Sequence, residues 1–299
     1  MIATTRDYFH LHFLVFLWGF TAVLGKLITL PSVEMVFYRT LLAAAGMGVV
    51  MLLLKKPFGI PTPLLVKVFA TSIIVAIHWI AFFVSGKISN PSTSLVGFAT
   101  CSFWAAILEP LLKRKKIAWL EIALGIVVLI GLGIILAFDF KHPLGLLLGI
   151  ISGLTAAWFS IINSKLVHRV NAYAITFYEM LGACVLILLF MPLYVRLPVV
   201  DRLNLIPTPS DWFYIAIMAW ACSVYAFSAS INLSKRISVF MIQLALNLEP
   251  LYGIILALLV FGQQEVMSWQ FYLGTAIVLS AVIIYPILKN KAQANVPAQ

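Results

Sequence analysis

Charge is scarce in this chain. Only 10% of its 299 residues are charged, against 63% hydrophobic, where a soluble domain carries about 25% charged residues. So little polar surface cannot cover a globule, and with a mean hydropathy of +1.07 a lipid bilayer is the natural solvent. Cysteine is rarer still. Cys101, Cys184 and Cys222 stand in three separate apolar runs without CxxC spacing, which indicates neither a disulfide framework nor a zinc site. No GxxxxGK[ST] loop occurs, so ATP is not expected to drive the protein directly, and no HExxH or GxSxG spacing marks an enzyme. The chain reads as a non-enzyme with no cofactor and no metal.

What is present is basic charge and long apolar runs. The net charge of +10 would suit nucleic acid only if it formed a basic face on a folded domain. The basic residues instead occupy short loops between apolar runs, so a membrane partner is expected and a nucleic-acid partner is not. Crossing the hydrocarbon core takes about 20 apolar residues. Ten runs qualify, near 11–30, 34–54, 64–86, 93–112, 117–138, 144–163, 172–196, 211–232, 237–261 and 268–288. The fold class expected is all-α integral membrane with ten transmembrane helices. The first run has no convincing small-residue cleavage site and reads as a retained span.

Lysines and arginines divide unequally between the two sides. One side holds Arg6, Lys55, Lys56, Lys67, the block Lys113-Arg114-Lys115-Lys116, Lys165, Arg169, Lys235, Arg236, Lys289 and Lys291; the other holds Lys26, Lys87, Lys141, Arg196 and Arg202. The excess predicts that both termini are cytoplasmic.

The chain also repeats itself. "VFYRTLLAA" at 36–44 matches "TFYEMLGAC" at 176–184, Ser94 and Ser238 are paired as openings of the fourth and ninth spans, and "WLEIALGIVVLIG" at 119–131 matches "WQFYLGTAIVLSA" at 269–281. Each half then holds five spans, 1–140 and 141–288, followed by a tail at 289–299 expected to be cytoplasmic and disordered. Five is odd, so the second half enters from the opposite face. Two inverted five-helix repeats are a plan of secondary transporters, with the binding site near mid-membrane between them.

With that layout the chain resembles the EamA family of the drug/metabolite transporter superfamily. The resemblance is carried by "LHFLVFLWGFTAVLGK" with its Trp18-Gly19-Phe20 step, by "EMVFYRTLLAA", by "NLEPLYGIILALLVFGQQE" and by "FYLGTAIVLSAVI". Proline in the ninth helix, Gly262 then Glu265 at its exit, and a glycine early in the tenth helix are its most specific features. Where the family commonly has an exit Gly-Glu in the first half, this chain has "KRKK". The resemblance implies alternating access around a central cavity, a small polar metabolite such as an amino acid as cargo, and a bacterial inner membrane. Cationic drugs, nucleosides and sugars are the alternative cargoes, protons a candidate coupling ion, and a monomer or weak homodimer the expected assembly.

Ionisable side chains inside spans cost about 2.5–3.5 kcal/mol each and normally face the bundle interior or a wet cavity. Arg39, His78, Glu109, Glu179 and Glu249 are so placed. Arg39 is either one end of an internal salt bridge or a clamp for a carboxylate, which guanidinium binds bidentately. Glu179 holds the matching place in the other half, as a gate or as packing. His78 is either hydrogen-bonded to a neighbouring helix or a proton-sensitive cavity residue. Glu109, Glu179, Glu249 and Pro250 are the candidates for coupling or gating.

Glu249 lies ~18 Å into the ninth span, beside a proline that cannot donate to the carbonyl of Leu246. At about 100° per residue Gln243 and Asn247 share one face and Glu249 points away from it. Either the proline distorts this turn or, as the regular-helix projection favours, the two amides face the cavity while Glu249 braces a neighbour. Trp18, Tyr38, Trp79, Trp104, Trp158, Tyr178, Tyr225 and Tyr252 fall within spans. Packing explains any one of them, and as a group they suit a cavity with aromatic walls. Gly145, Gly149, Gly153 and Ala157 form a small-residue stripe that lets another helix approach closely.

Overall fold

The computed structural model describes residues 3–137, 142–198, 202–261 and 268–294. Lys141, Gly262, Glu265 and the last five residues of the tail, singled out above, lie outside them. The described residues are helical with short connections and contain no strand. In order they form α1 (Thr5–Leu27), α2 (Ser32–Leu53), α3 (Thr62–Ile88), α4 (Pro91–Phe98), α5 (Cys101–Lys113), α6 (Trp119–Ala137), α7 (Pro143–Leu166) and α8 (Ala172–Tyr194), then α9 (Pro209–Ile217), a π-helical stretch (Met218–Tyr225), α10 (Ala226–Leu233), α11 (Val239–Leu246), α12 (Glu249–Phe261) and α13 (Trp269–Ala294). Taking α4–α5, α9–α10 and α11–α12 each as one interrupted rod, eight helices among the described residues are long and apolar enough to cross a membrane. Apolar stretches within α6 and α13, Trp119–Ile134 and Tyr272–Tyr285, are shorter. Helix α13 runs to Ala294, six residues into the segment assigned above to the tail.

Local sequence sets the helix starts. Thr4 and Asp7 close a capping box on α1, and Thr208 and Asp211 do the same on α9. Asn90, Asn171 and Ser238 accept backbone N–H groups at the starts of α4, α8 and α11. Pro91, Pro143 and Pro209 take the first helical position, where a missing N–H costs nothing.

Much of the outside is apolar, and polar and charged side chains are buried within a largely apolar interior. Leu53, Trp119 and Leu259 are more than 70% exposed, while Glu34, Thr40, Glu179 and Asp211 are fully buried. The helices pack in reciprocal pairs. α1 lies on α12 as α7 lies on α5, and α2 lies on the π-helical stretch as α8 lies on α3. α2 meets α8, α5 meets α11 and α6 meets α13 across the middle. The matching positions are not quite those read from the sequence. Ser238 caps α11, whereas Ser94 is one turn inside α4, its hydroxyl bonded to the Phe82 carbonyl at 2.7 Å. The counterpart of Ser238 is Asn90, a separation of 148 residues (238 against 90). The interruptions of the two rods, at Ala99 and Asn247, show the same separation of 148 (247 against 99).

The small-residue stripe of α7 works as expected. A Cβ on Gly97 of α4 would lie 2.7 Å from Gly149 Cα, and one on Gly153 would lie 2.6 Å from Thr100 Oγ1. The two helices therefore touch along their backbones.

Each end of the bundle has its own ties. At the end rich in lysine and arginine, called the basic end below, Arg236 pairs with Asp7 at 2.9 Å. There Glu109 takes Lys113 on one oxygen at 2.8 Å and the Phe240 N–H on the other at 3.0 Å, so it caps α11 from a neighbouring helix. At the opposite end Asp211 accepts the Thr29 N–H and hydroxyl, both at 2.7 Å, as well as the Thr208 N–H at 3.0 Å. Lys87 donates to the carbonyls of Ile28 and Leu30. Asp211→Ala removes the buried carboxylate that Thr29 and Thr208, themselves exposed, share as acceptor. It is expected to cost about 1–3 kcal/mol, read as a lower unfolding midpoint of the purified protein; an unchanged midpoint would show that this tie is solvated and of no weight.

Candidate functional site

Within the bundle α1, α2, α3, α4, α7, α10, α11 and α12 surround a cavity. It holds about 800 Å³ of space between atoms, its open mouth included, of which about 80 Å³ admits the centre of a water-sized sphere. Single waters need about 10–15 Å³ on that second measure, so a small metabolite fits. The lining runs from Thr21, Phe82 and Phe83 towards the opposite end to Asn163, Ser234 and Val239. Asn163 lies within a turn of the end of α7, Ser234 follows α10 and Val239 opens α11, so the cavity reaches the basic end.

Arg39 is 2% exposed and is held from two sides. Its Nε donates to Ser223 Oγ at 3.0 Å, and its guanidinium carbon sits 4.0 Å from the centre of the Trp79 ring. The Ser223 position depends on the π-helical stretch, where the Ser223 hydroxyl bonds the Met218 carbonyl five residues back at 3.1 Å. The same widened backbone leaves the Cys222 carbonyl to accept Trp18 Nε1–H at 3.0 Å. Ser223→Ala should free the guanidinium and weaken cargo binding about 10-fold without unfolding the protein. Binding unchanged in that variant would show that the stack on Trp79 alone positions Arg39.

Glu249 faces the same cavity from α12, with Thr21 beside its carboxylate. Arg39 and Glu249 feel each other's charge yet form no ion pair within 4.0 Å among the described residues. The salt-bridge alternative for Arg39 is therefore not what the fold builds. The regular-helix projection also fails here. Asn247 and Leu248 make i→i−3 bonds to Leu244 and Ala245, at 3.1 and 3.0 Å, which tightens the backbone before α12 begins. Gln243 and Glu249 thus line the cavity together. Asn247 turns instead to α5, donating to Ser102 Oγ at 2.9 Å. Gln243 Nε2 donates to Ser160 Oγ at 2.8 Å, leaving its carbonyl oxygen buried and unpartnered.

His78 sits among Phe82, Phe98 and Phe159, with Nδ1 2.9 Å from both the carbonyl and the hydroxyl oxygen of Ser152. A carbonyl only accepts, so Nδ1 carries a proton and donates it there.

Of the residues singled out from the sequence, Trp18, Arg39, His78, Trp79, Gln243 and Glu249 share this cavity. The others are placed elsewhere. Trp158 and Tyr225 are each 44% exposed on the outer surface, Tyr225 paired with His10 at 2.9 Å. Tyr38 donates to the Leu205 carbonyl at 2.7 Å and Tyr178 to the Phe58 carbonyl at 3.0 Å, each tying down a loop. Trp104 packs on Phe103, and Tyr252 packs on Phe16 and against Gly19. Glu109 is at the basic end and Glu179 lies behind Asn163, accepting its amide at 3.0 Å. Pro250 is the second residue of α12, where its missing N–H is tolerated.

Sequence reasoning missed most of the wall. Phe82, Phe83, Phe98, Phe159 and Phe227 supply the aromatic surface, and Asn163, Ser160 and Ser230 supply polarity. Asn163 carried a usable signal, as an amide inside an apolar run. The phenylalanines carried none, because nothing local separates a cavity wall from a core or a lipid-facing ring.

A helical chain that is apolar outside and encloses a partly polar cavity is a multi-pass membrane protein built to admit a small molecule. Residues 8–137 and 143–285 each match the model of the EamA-like transporter family, and the chain belongs to that family, within the drug/metabolite transporter superfamily. The match covers both halves and so bears out the two-repeat layout. No curated protein matches the chain. Among 28 solved chains that do, one described as "Crystal structure of protein" is similar over 96% of this chain and 99% of its own. Its TM-score is 0.73 at 15% identity, a likeness of fold alone.

Proposed function

We propose that the protein exports small zwitterionic metabolites, amino acids first among them, from a bacterial cytoplasm by alternating access. One observation carries this reading. Arg39 on α2 and Glu249 on α12 oppose each other in one cavity without forming an ion pair. A ligand with a carboxylate and an ammonium group can satisfy both, and guanidinium suits the carboxylate geometrically. The ends support the export direction. The cavity reaches the basic end, which the charge distribution assigns to the cytoplasm, while the ties of Lys87 and Asp211 close the other end. This is the arrangement of a protein ready to load from inside. The ten-crossing, inverted reading of the halves agrees with the reciprocal helix pairs and supports rocking of one half against the other.

The aromatic wall favours a second cargo class. Trp18, Trp79, Phe98, Phe159 and Phe227 with Glu249 would also suit a flat organic cation. Flux of labelled amino acids, cationic dyes and nucleosides from proteoliposomes separates the two. Amino-acid flux that competes with unlabelled amino acids supports the first reading; dye flux alone, or none across the panel, overturns it.

A further inference from the structure

Three of the eight buried polar side-chain atoms without a partner among the described residues fall together, and two of their residues already touch. They are Asn163 Oδ1, Thr176 Oγ1 and Glu179 Oε1. Asn163 Nδ2 donates to Glu179 Oε2 at 3.0 Å, and Thr176 lies one turn before Glu179 on the same face of α8. Glu179 and Thr176 are fully buried and Asn163 is 2% exposed, yet Asn163 also lines the cavity. A carboxyl group is thus connected to the cargo space through one amide.

No opposite charge accounts for this carboxyl group. The helices packed on α8 are α2, α3 and α10, with α7 supplying Asn163. Their charged and titratable side chains are Glu34, Tyr38 and Arg39 on α2, Lys67, His78 and Lys87 on α3 and Lys165 on α7, with none on α10, and α8 itself adds Tyr173, Tyr178, Cys184 and Tyr194. Arg39 is held by Ser223 and Trp79, His78 by Ser152, Lys87 by the carbonyls of Ile28 and Leu30, and Lys165 by the Leu112 carbonyl. None of them acts on Glu179, whose one polar partner among the described residues is Asn163. A carboxylate without a counter-ion in a dry interior is costly, and a proton is the smallest ligand that removes the cost.

We propose that Glu179 and Asn163 form a proton-binding site whose occupancy sets the hydrogen-bonding sense of the cavity wall. With Glu179 ionised, Asn163 directs its N–H to the carboxylate and keeps its carbonyl as the free end. With Glu179 protonated, the carboxyl O–H donates to the Asn163 carbonyl. The amide turns over, and its N–H groups become the free end. An amide accomplishes this by rotation of one terminal torsion, with little change of volume. The proton enters from water at the basic end, since Glu179 is seven residues, or ~10 Å, from the start of α8. Cargo in the cavity then meets an acceptor in one state and a donor in the other, which links its affinity to the proton.

Proton binding here deepens the transport reading but can be tested without any cargo. Infrared difference spectra of the full chain in liposomes, stepped in pH in H₂O and D₂O, should contain the carbonyl stretch of a protonated carboxylic acid. Glu179→Gln should remove that band. Asn163→Leu, or Asn163→Ser if the leucine variant does not fold, should keep the band but raise its frequency, because the hydrogen bond is lost, and displace its midpoint by about one pH unit. A band that persists in Glu179→Gln, a band indifferent to Asn163, or no titrating carboxyl band would each overturn the proposal. An intact band in a protein that moves no amino acid would overturn the cargo reading and leave the proton site standing.

Discussion

Arg39→Ala is expected to lower amino-acid flux through proteoliposomes on the order of 100-fold at subsaturating cargo. Removing one partner from a desolvated charge pair costs about 2–5 kcal/mol, and here the partner would be the cargo carboxylate. The guanidinium is already buried, oriented by Ser223 and stacked on Trp79, so it needs no rearrangement to bind. Arg39→Lys keeps the charge but loses the planar fork and the stack, and should recover only a small part of the flux. The measurement is initial efflux of labelled amino acid, with the unfolding midpoint taken alongside to separate loss of binding from loss of fold. Flux within two-fold of the unsubstituted protein would remove the carboxylate clamp, and with it the case for a zwitterionic cargo.

A large effect on stability is expected at Gly149. A Cβ there would lie 3.0 Å from Gly97 Cα and 3.1 Å from the Ser94 carbonyl. Both are backbone atoms of α4 and cannot swing aside as a side chain would. Gly149→Val adds two methyl groups to that contact and must part α4 from α7. Overpacking commonly costs about 1–3 kcal/mol, and backbone contact on both sides puts this site at or beyond the upper limit. The expected result is a protein that fails to elute as a single species from size exclusion. Gly133 is the control, since a Cβ there meets nothing within 4 Å. Gly133→Ala should be neutral or stabilise the helix by up to about 1 kcal/mol. If Gly149→Val behaves like Gly133→Ala, the two helices do not rely on their close approach.

Much of this architecture was legible because it is written in local runs. Apolar stretches and the Pro, Asn and Ser between them mark helices without knowledge of their neighbours. Arg39, His78 and Glu249 stood out because an ionisable side chain in an apolar run needs a reason. Legibility ended where two helices had to agree. The pairing of Ser94 with Ser238 came from likeness of letters, whereas the caps pair Asn90 with Ser238. Gln243 and Asn247 share a face only in a regular helix, and two i→i−3 bonds at Asn247 and Leu248 undo that regularity. Trp158 and Tyr225 looked like cavity residues by depth alone, yet depth along a span does not say which way a ring points. The number of crossings rests on similar ground, since hydropathy found ten runs and, among the described residues, eight helices are long and apolar enough for a full crossing.

The π-helical stretch between α9 and α10 has a consequence for how this gene product tolerates insertion and deletion. A π turn accommodates a residue more than an α turn, so the coil widens while both flanking helices keep their directions. Shortening it by one residue, at Ala221 for instance, would let the backbone relax to an ordinary α-helix with both flanks still in phase. Phe227, Ser230, Ile231 and Ser234 would keep their places on the cavity, while the bulge that lets the Ser223 hydroxyl meet both the Met218 carbonyl and Arg39 would be gone. One surplus amino acid therefore sets how the guanidinium is anchored, not the course of the helix.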